Sequence, residues 1–151
     1  MKFEHLKLVP RLADDGAAFA AALRAHAELY ARGWTEVLAL TGQEEAVVVV
    51  NGPRLADVTG LIVFEPCDDI SAFWVQLSWV SPKARRRGIW RRMWNVLVEE
   101  AWARGILKIQ SGHHVDNEPM RRAMLSAGRR PKMILYDYDV ERLTQAEDGP
   151  V

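Results

Sequence analysis

The residues best suited to chemistry form a basic run, Lys83, Arg85, Arg86, Arg87, Gly88, Arg91 and Arg92, where an amphipathic helix begins. Ile89, Met93, Leu97 and Ala101 recur every four residues, and Trp90, Trp94, Val98 and Trp102 form the row beside them. Two adjacent apolar rows predict a stripe wide enough to dock on a sheet. The charges oppose the helix dipole: arginines crowd the first turn, while Glu99 and Glu100 sit near the far end. A helix prefers the reverse by about 0.3–1 kcal/mol per charge. An anion at the N-terminus accounts for the reversal, because free backbone N–H groups, the dipole and the guanidinium forks then all face phosphate. A solvated basic turn is the plainer alternative.

Other groups with chemical capacity are scattered. Glu65 follows an apolar run, and His113 and His114 follow another; an imidazole has the right pKa to accept a proton near neutrality. The cluster His113, His114, Asp116, Asn117, Glu118 lacks the spacing of a metal site, so no metal is expected. Tyr136 and Tyr138 alternate and could line a pocket or merely pack, and His26 is read as a packed or half-exposed side chain with no catalytic role. Cys67, the single cysteine, excludes an internal disulfide and is read as structural. No Walker loop or dinucleotide fingerprint is present.

These groups must be positioned by a fold. At 151 residues the chain suits one domain, expected over residues 1–140, with a polar tail at 141–151. Zero formal net charge argues against a general nucleic-acid or membrane binder. No apolar run reaches the ~18 residues of a membrane span, and the N-terminus shows no secretory core, so a cytoplasmic protein is expected.

Phe3 to Val9 reads as a first strand. Asp14 or Asp15 can cap a helix with Phe19, Leu23, Ala27 and Tyr30 on one face and Gly33 beyond its end. Trp34 to Leu40 is read as a second short helix. Ala46 to Val50, Val58 to Phe64 (with Gly60 as a bulge) and Ile70 to Val80 predict an antiparallel meander, with Phe73, Val75, Leu77 and Trp79 on one face. The basic-ended helix runs to Gly105, and Ile106 to Gln110 is a buried strand parallel to the one before the helix. Asn117 to Ala127 is a helix ended by Gly128, and Met133 to Val140 a last strand. The expected class is α/β, with helices on both faces of the sheet.

Val80-Ser81-Pro82 followed by Arg85-Arg86-Arg87-Gly88-Ile89 resembles the GNAT superfamily of N-acetyltransferases, in which a strand ends in V-x-P and R/Q-x-x-G-x-G/A opens a long helix. Asn117 and, eleven residues on, Gly128 are similar to the family's asparagine-to-glycine spacing. The resemblance implies a mixed, mostly antiparallel sheet splayed between two parallel strands, and acetyl-CoA as donor. It places Trp79 and Val80 against pantetheine, the N–H groups from Arg85 through Gly88, Ile89 and Trp90 to Arg91 on the pyrophosphate, and Asn117 on the pantetheine side.

Three positions depart from the family pattern: Trp90 replaces a small residue, Met124 a tyrosine that protonates the leaving thiolate, and Gln76 with Leu77 a base carboxylate. A thiol of pKa ~8.5 leaves tolerably without a dedicated acid, whereas a lysine-like amine of pKa ~10.4 needs a proton acceptor. His113 and then Glu65 are the candidate bases. The expected function is acetyl transfer from acetyl-CoA to a primary amine of a small molecule or protein. The alternative is a module that keeps the fold and binds acyl-CoA or a protein without turnover. Nucleic-acid binding through Arg85 to Arg92 with Arg121, Arg122, Arg129, Arg130 and Lys132 ranks third. Six tryptophans are many for this length, and an exposed one could mark a homodimer face.

Overall fold

A run of small and β-branched residues, Ala46 to Val49, is buried on both faces, which is how a central strand reads in sequence. In the computed structural model, which describes residues 4–34, 40–138 and 140, this run lies in β2 (Glu45–Val50). The other strands are β1 (His5–Val9), β3 (Val58–Cys67), β4 (Ala72–Val80) and β5 (Lys108–Ser111). The sheet order is β1-β2-β3-β4-β5. The first three pairings are antiparallel and β4–β5 is parallel. The crossover between β4 and β5 carries α2 (Ile89–Ala103), α1 (Gly16–Ala31) joins β1 to β2, and α3 (Glu118–Ser126) follows β5.

The two faces have separate cores. Val48, Leu61, Val63 and Leu77 meet Ala18, Ala21, Ala22 and Ala25 of α1. Ile62, Phe64, Phe73 and Val75 meet Ile89, Met93, Trp94, Leu97 and Ala101 of α2. The helix ends follow the sequence signals. Asp15 accepts the Ala18 N–H at 3.0 Å, Asn117 accepts the Met120 N–H at 3.3 Å, and Gly33, Gly105 and Gly128 take positive φ just past the helix ends.

Several expectations change in three dimensions. The first helix turns its alanines to the sheet rather than Phe19, Leu23, Ala27 and Tyr30; Leu23 and Tyr30 are exposed. Small side chains let α1 lie close on the sheet, and Phe19 packs at the margin beside Gly42. On α2 only the Ile89-Met93-Leu97-Ala101 row is fully inward. The second row is set about 100° round the helix from the first, so it runs along the margin of the contact: Trp94 is still buried, but Val98 and Trp102 are exposed, Trp102 at 86%. β5 is half-exposed rather than buried. The bulge assigned to Gly60 belongs to Thr59, for Val49 pairs with Gly60 and Val50 with Val58.

Met133 to Tyr138 forms no strand: the segment is irregular, with Met133, Leu135 and Tyr136 all more than 80% exposed. Alternation needs a ladder to become a strand. Here β5 offers only four residues, and the Ile109 carbonyl already accepts from Arg129 at 3.4 Å. The short helix expected at Trp34 to Leu40 falls largely on residues 35–39, outside the described residues, as does the tail from 141.

Gly60 has a different use. A Cβ there would meet Ile89 Cγ2 and Met93 Cε at 3.0 Å, so its hydrogen lets the first turns of α2 sit on β3. Gly60→Ala is therefore expected to cost about 1 kcal/mol, since Met93 can yield but not freely. Denaturant unfolding would measure it, and an unchanged midpoint would mean that α2 is not seated this tightly.

Candidate functional site

The site begins with a change of register in β4. Leu77 pairs with Val63 and Val75 with Phe64, which leaves Gln76 as an extra, unpaired residue. A bulge kinks its strand and reverses the faces beyond it. Phe73 and Val75 consequently face α2, while Leu77 and Trp79 face α1. The expected common face for Phe73, Val75, Leu77 and Trp79 is broken at this residue. On the other edge, β5 pairs with β4 only from Ala72–Lys108 to Val75–Ser111. From Gln76 to Val80 the outer edge of β4 has no strand beside it among the described residues, so the two parallel strands separate at the bulge. An extended ligand can use the backbone groups that this leaves without a strand partner.

The open edge leads into the basic loop. Pro82–Ala84 is a single 3-10 turn, and Arg86 (φ 63°) and Gly88 (φ 74°) then take left-handed conformations. Alternation of this kind turns successive N–H groups inward to form a concave anion nest. Among the described residues, no amide from Arg85 to Arg91 donates to another protein group; the first helical bond is Arg92 N–H to Gly88 O at 3.1 Å. Arginine in the left-handed region costs of order 1–3 kcal/mol, a strain that clusters at functional sites. A Cβ on Gly88 would meet no protein atom within 4 Å, so the space before the loop is open to a ligand.

Electrostatics agree. Lys83, Arg86 and Arg87 have no acidic partner among the described residues, whereas Arg92 pairs with Glu4 at 2.6 Å. Arg91 donates to the Ser126 carbonyl at 3.1 Å and so ties α2 to α3. Behind the loop a cleft of about 350 Å³ is lined by Glu4, Arg54, Thr59, Ser81, Lys83 and Arg87.

Other residues singled out in the sequence fall around this edge. Val80 pairs with Gly60 and packs on the α2 side, and its carbonyl accepts Arg85 Nε at 3.0 Å. The Ile89 side chain is core, so only its amide is available. Trp90 does not fill the mouth of the nest: its indole stacks on Trp94 at 5.6 Å, and Arg129 lies over the Trp94 ring at 4.9 Å. Burial lowers the Arg129 pKa. Trp90 Nε1 is buried without a hydrogen-bond partner among the described residues. Asn117 caps α3 through its oxygen, and its NH2 group has no partner among the described residues.

The candidate bases are not brought together. Glu65 pairs with Trp74 on the α1 side of the sheet, whereas His113 lies exposed two residues beyond β5, its Nδ1 2.8 Å from His114 O. With one strand between them they stand roughly 10 Å apart or more, so they cannot share one proton. Sequence reading overlooked Glu28. Its carboxylate accepts from Trp79 Nε1 at 3.3 Å and meets Arg85 at 3.5 Å and Arg32 at 3.4 Å, tying α1 to both the open strand and the loop. Its one sequence signal is its place on the polar side of an amphipathic helix, which says nothing of the bulge that turns Trp79 towards it. Among the described residues no three His, Cys, Asp or Glu side chains gather to hold a metal, and no helix is long and apolar enough to cross a membrane.

The sequence model described as the acetyltransferase (GNAT) family matches residues 16–128. No curated protein matches the chain significantly. Among solved structures, the chain is similar to an aminoglycoside acetyltransferase, meta-AAC0020, from an uncultured soil metagenomic sample: TM-score 0.68, 8% identity, covering 91% of this chain and 97% of that one. A ribosomal-protein-alanine N-acetyltransferase from Brucella melitensis biovar Abortus 2308 gives TM-score 0.64 at 19% identity, covering 91% and 99%. AAC(6')-Iy in complex with the bisubstrate analog CoA-S-monomethyl-acetylneamine gives 0.60 at 13%, covering 91% and 99%. At these identities the structural likeness speaks for the fold alone.

Proposed function

Since this chain belongs to the GNAT acetyltransferase family, we propose that it transfers an acetyl group from acetyl-CoA to a primary amine, by direct attack of the amine on the thioester. The observation that carries this reading is the run of unpaired amides from Arg85 to Arg91, set in a nest between unpaired cations and continuous with the open edge of β4. A diphosphate fits such a nest, and a pantetheine arm, with its alternating amides, fits a bare strand edge. Arg85, Arg86, Arg87, Gly88, Ile89, Trp90 and Arg91 would hold the diphosphate mainly through backbone. Trp79 and Val80 would border the arm, and the NH2 group of Asn117 would reach it from α3.

The acceptor enters this reading as a cation. Glu65, Asp68 and Asp69 lie around the β3–β4 hairpin without cationic partners among the described residues, a setting that attracts an ammonium group. His113 and Glu65 are the proposed proton acceptors, on different strands and therefore for different approaches of the amine. Substitution separates them: if His113 accepts the proton, His113→Ala lowers kcat/KM about 10²- to 10⁴-fold while Glu65→Gln leaves it nearly unchanged, and the reverse holds if Glu65 does. The chain is proposed to act as one domain over residues 1–140, in the cytoplasm. A homodimer is proposed as its assembly, on the strength of exposed Trp102.

The test is calorimetry with acetyl-CoA followed by thiol release with a panel of amines: aminoglycosides, polyamines and peptides with a free N-terminal alanine. Binding with thiol release supports the proposal, and failure to bind at high micromolar ligand overturns it. A second reading has its own support in Met124 and Gln76, which stand where the family pattern has a tyrosine and a base carboxylate. In that reading the protein holds acyl-CoA without turnover, and binding without thiol release across the whole panel would establish it.

A further inference from the structure

Ser111 is the last residue of β5 and pairs with Val75, the last residue of β4 before the bulge at Gln76. It therefore stands at the apex of the gap between the parallel strands. Ile109 packs on the α2 side of the sheet, and Ser111, two residues on, faces the same way. Its Oγ is buried and has no hydrogen-bond partner. Only two other side-chain atoms among the described residues share that condition, His26 Nε2 and Trp90 Nε1. Buried hydroxyls are almost always paired, and alanine would fill this place without leaving one stranded. The hydroxyl has the form of a donor whose acceptor arrives with a ligand.

Met124 of α3 carries a thioether, a weak acceptor with no proton to give. We infer that Ser111 is a catalytic residue, whose O–H donates a hydrogen bond to the sulfur of the acyl donor as the carbon–sulfur bond breaks. This rests on the acetyl-transfer reading above. The amine lone pair forms the new C–N bond and the carbonyl π electrons move onto oxygen. On collapse they return, and the C–S bonding pair leaves with sulfur as thiolate. Ser111 keeps its proton and steadies that charge. The proton lost by the amine nitrogen goes to the base or solvent, and one proton from solvent later neutralises the thiolate. The sum is thioester plus amine giving thiol plus amide.

The experiment compares wild-type protein with Ser111→Ala and Ser111→Thr. Ser111→Ala is expected to lower kcat about 10- to 100-fold, the scale of one hydrogen bond to a charged group. Its affinity for acetyl-CoA should stay within twofold and its melting temperature should be equal or higher, and Ser111→Thr should recover most of the rate. A second readout is the affinity for free CoA against pH. A donor at the sulfur favours bound thiolate, so wild type should gain affinity as pH rises towards about 8.5, and Ser111→Ala should not. Turnover of Ser111→Ala within twofold of wild type overturns the assignment, as does the same pH dependence of CoA binding in both proteins. Absence of acetyl-CoA binding by the wild type overturns the acetyl-transfer reading itself, which keeps the two failures distinct.

Discussion

Gly88→Val is expected to weaken acetyl-CoA binding at least 100-fold while the protein stays folded. Two effects add at this position. A β-branched residue at φ 74° is strained, by roughly 1–2 kcal/mol for the loss of glycine's freedom. Its side chain would also enter the space that no protein atom occupies within 4 Å of the position, where the diphosphate is proposed to sit. A factor of 100 corresponds to about 2.7 kcal/mol, the scale of a few charge-assisted hydrogen bonds made too long. Gly105→Val supplies the control. Gly105 has φ 70° and equally open surroundings, but it lies beyond the other end of α2. The two variants should unfold at similar denaturant concentrations and differ only in affinity. Equal affinities would dissociate the nest from donor binding.

Glu44→Ala is expected to cost about 3 kcal/mol of stability, a large effect for a polar side chain remote from the cleft. The Glu44 side chain is buried, and its carboxylate accepts Thr41 N–H at 2.6 Å, Thr41 Oγ1 at 2.9 Å and Gly42 N–H at 2.8 Å. The Leu12 and Ala13 amides bond to the Glu44 and Gly42 carbonyls, both at 2.8 Å, so the carboxylate also organises the entry to α1. Truncation strands buried N–H groups, each at about 1–3 kcal/mol. In a chain of this length the melting temperature should fall by roughly 6–12 °C. Burial alone would raise the Glu44 pKa, but the Thr41 N–H and hydroxyl and the Gly42 N–H outweigh it and hold it below its usual 4.5. A depressed folded pKa contributes stability above the unfolded value and loses it as pH falls through the folded value. The gap between wild type and Glu44→Ala should therefore be constant from neutral pH to about 5 and close at more acid pH. A gap that widened on acidification would contradict the sign.

Asp15 adds to the same acid sensitivity. Burial pushes its pKa up, but Lys7 at 2.7 Å and the Ala18 N–H more than compensate and hold it low. Its contribution is likewise present above the usual carboxylate range and lost below it.

Much of the backbone geometry of the proposed site was legible from residue types alone because its instructions are local. A glycine at φ > 0, arginines against a helix dipole and an asparagine three residues before the amide it caps act over a single turn. Arg86 shows the limit of that reading: its left-handed backbone has no signature in an arginine. The face of Trp79 shows another. Strict alternation from Phe73 to Trp79 predicts one side of the sheet, and the extra residue at Gln76 puts the two ends on opposite sides. The meeting of Glu28 with Trp79 and Arg85 follows from that reversal and was invisible without it.

What the amino-acid order determined by itself was the succession of described strands and helices through α3, the short helix expected at Trp34 to Leu40 lying outside them, together with the capped helix ends and the glycine-containing basic loop, all set by neighbours within about four residues. The tertiary structure alone decided three things: which face of α1 is covered, where β4 parts from β5, and that the apolar run at Met133 to Tyr138 lies outside the sheet. Each depends on whether a distant surface is available to pair or to bury against, and pairing is a property of two segments, while periodicity describes only one.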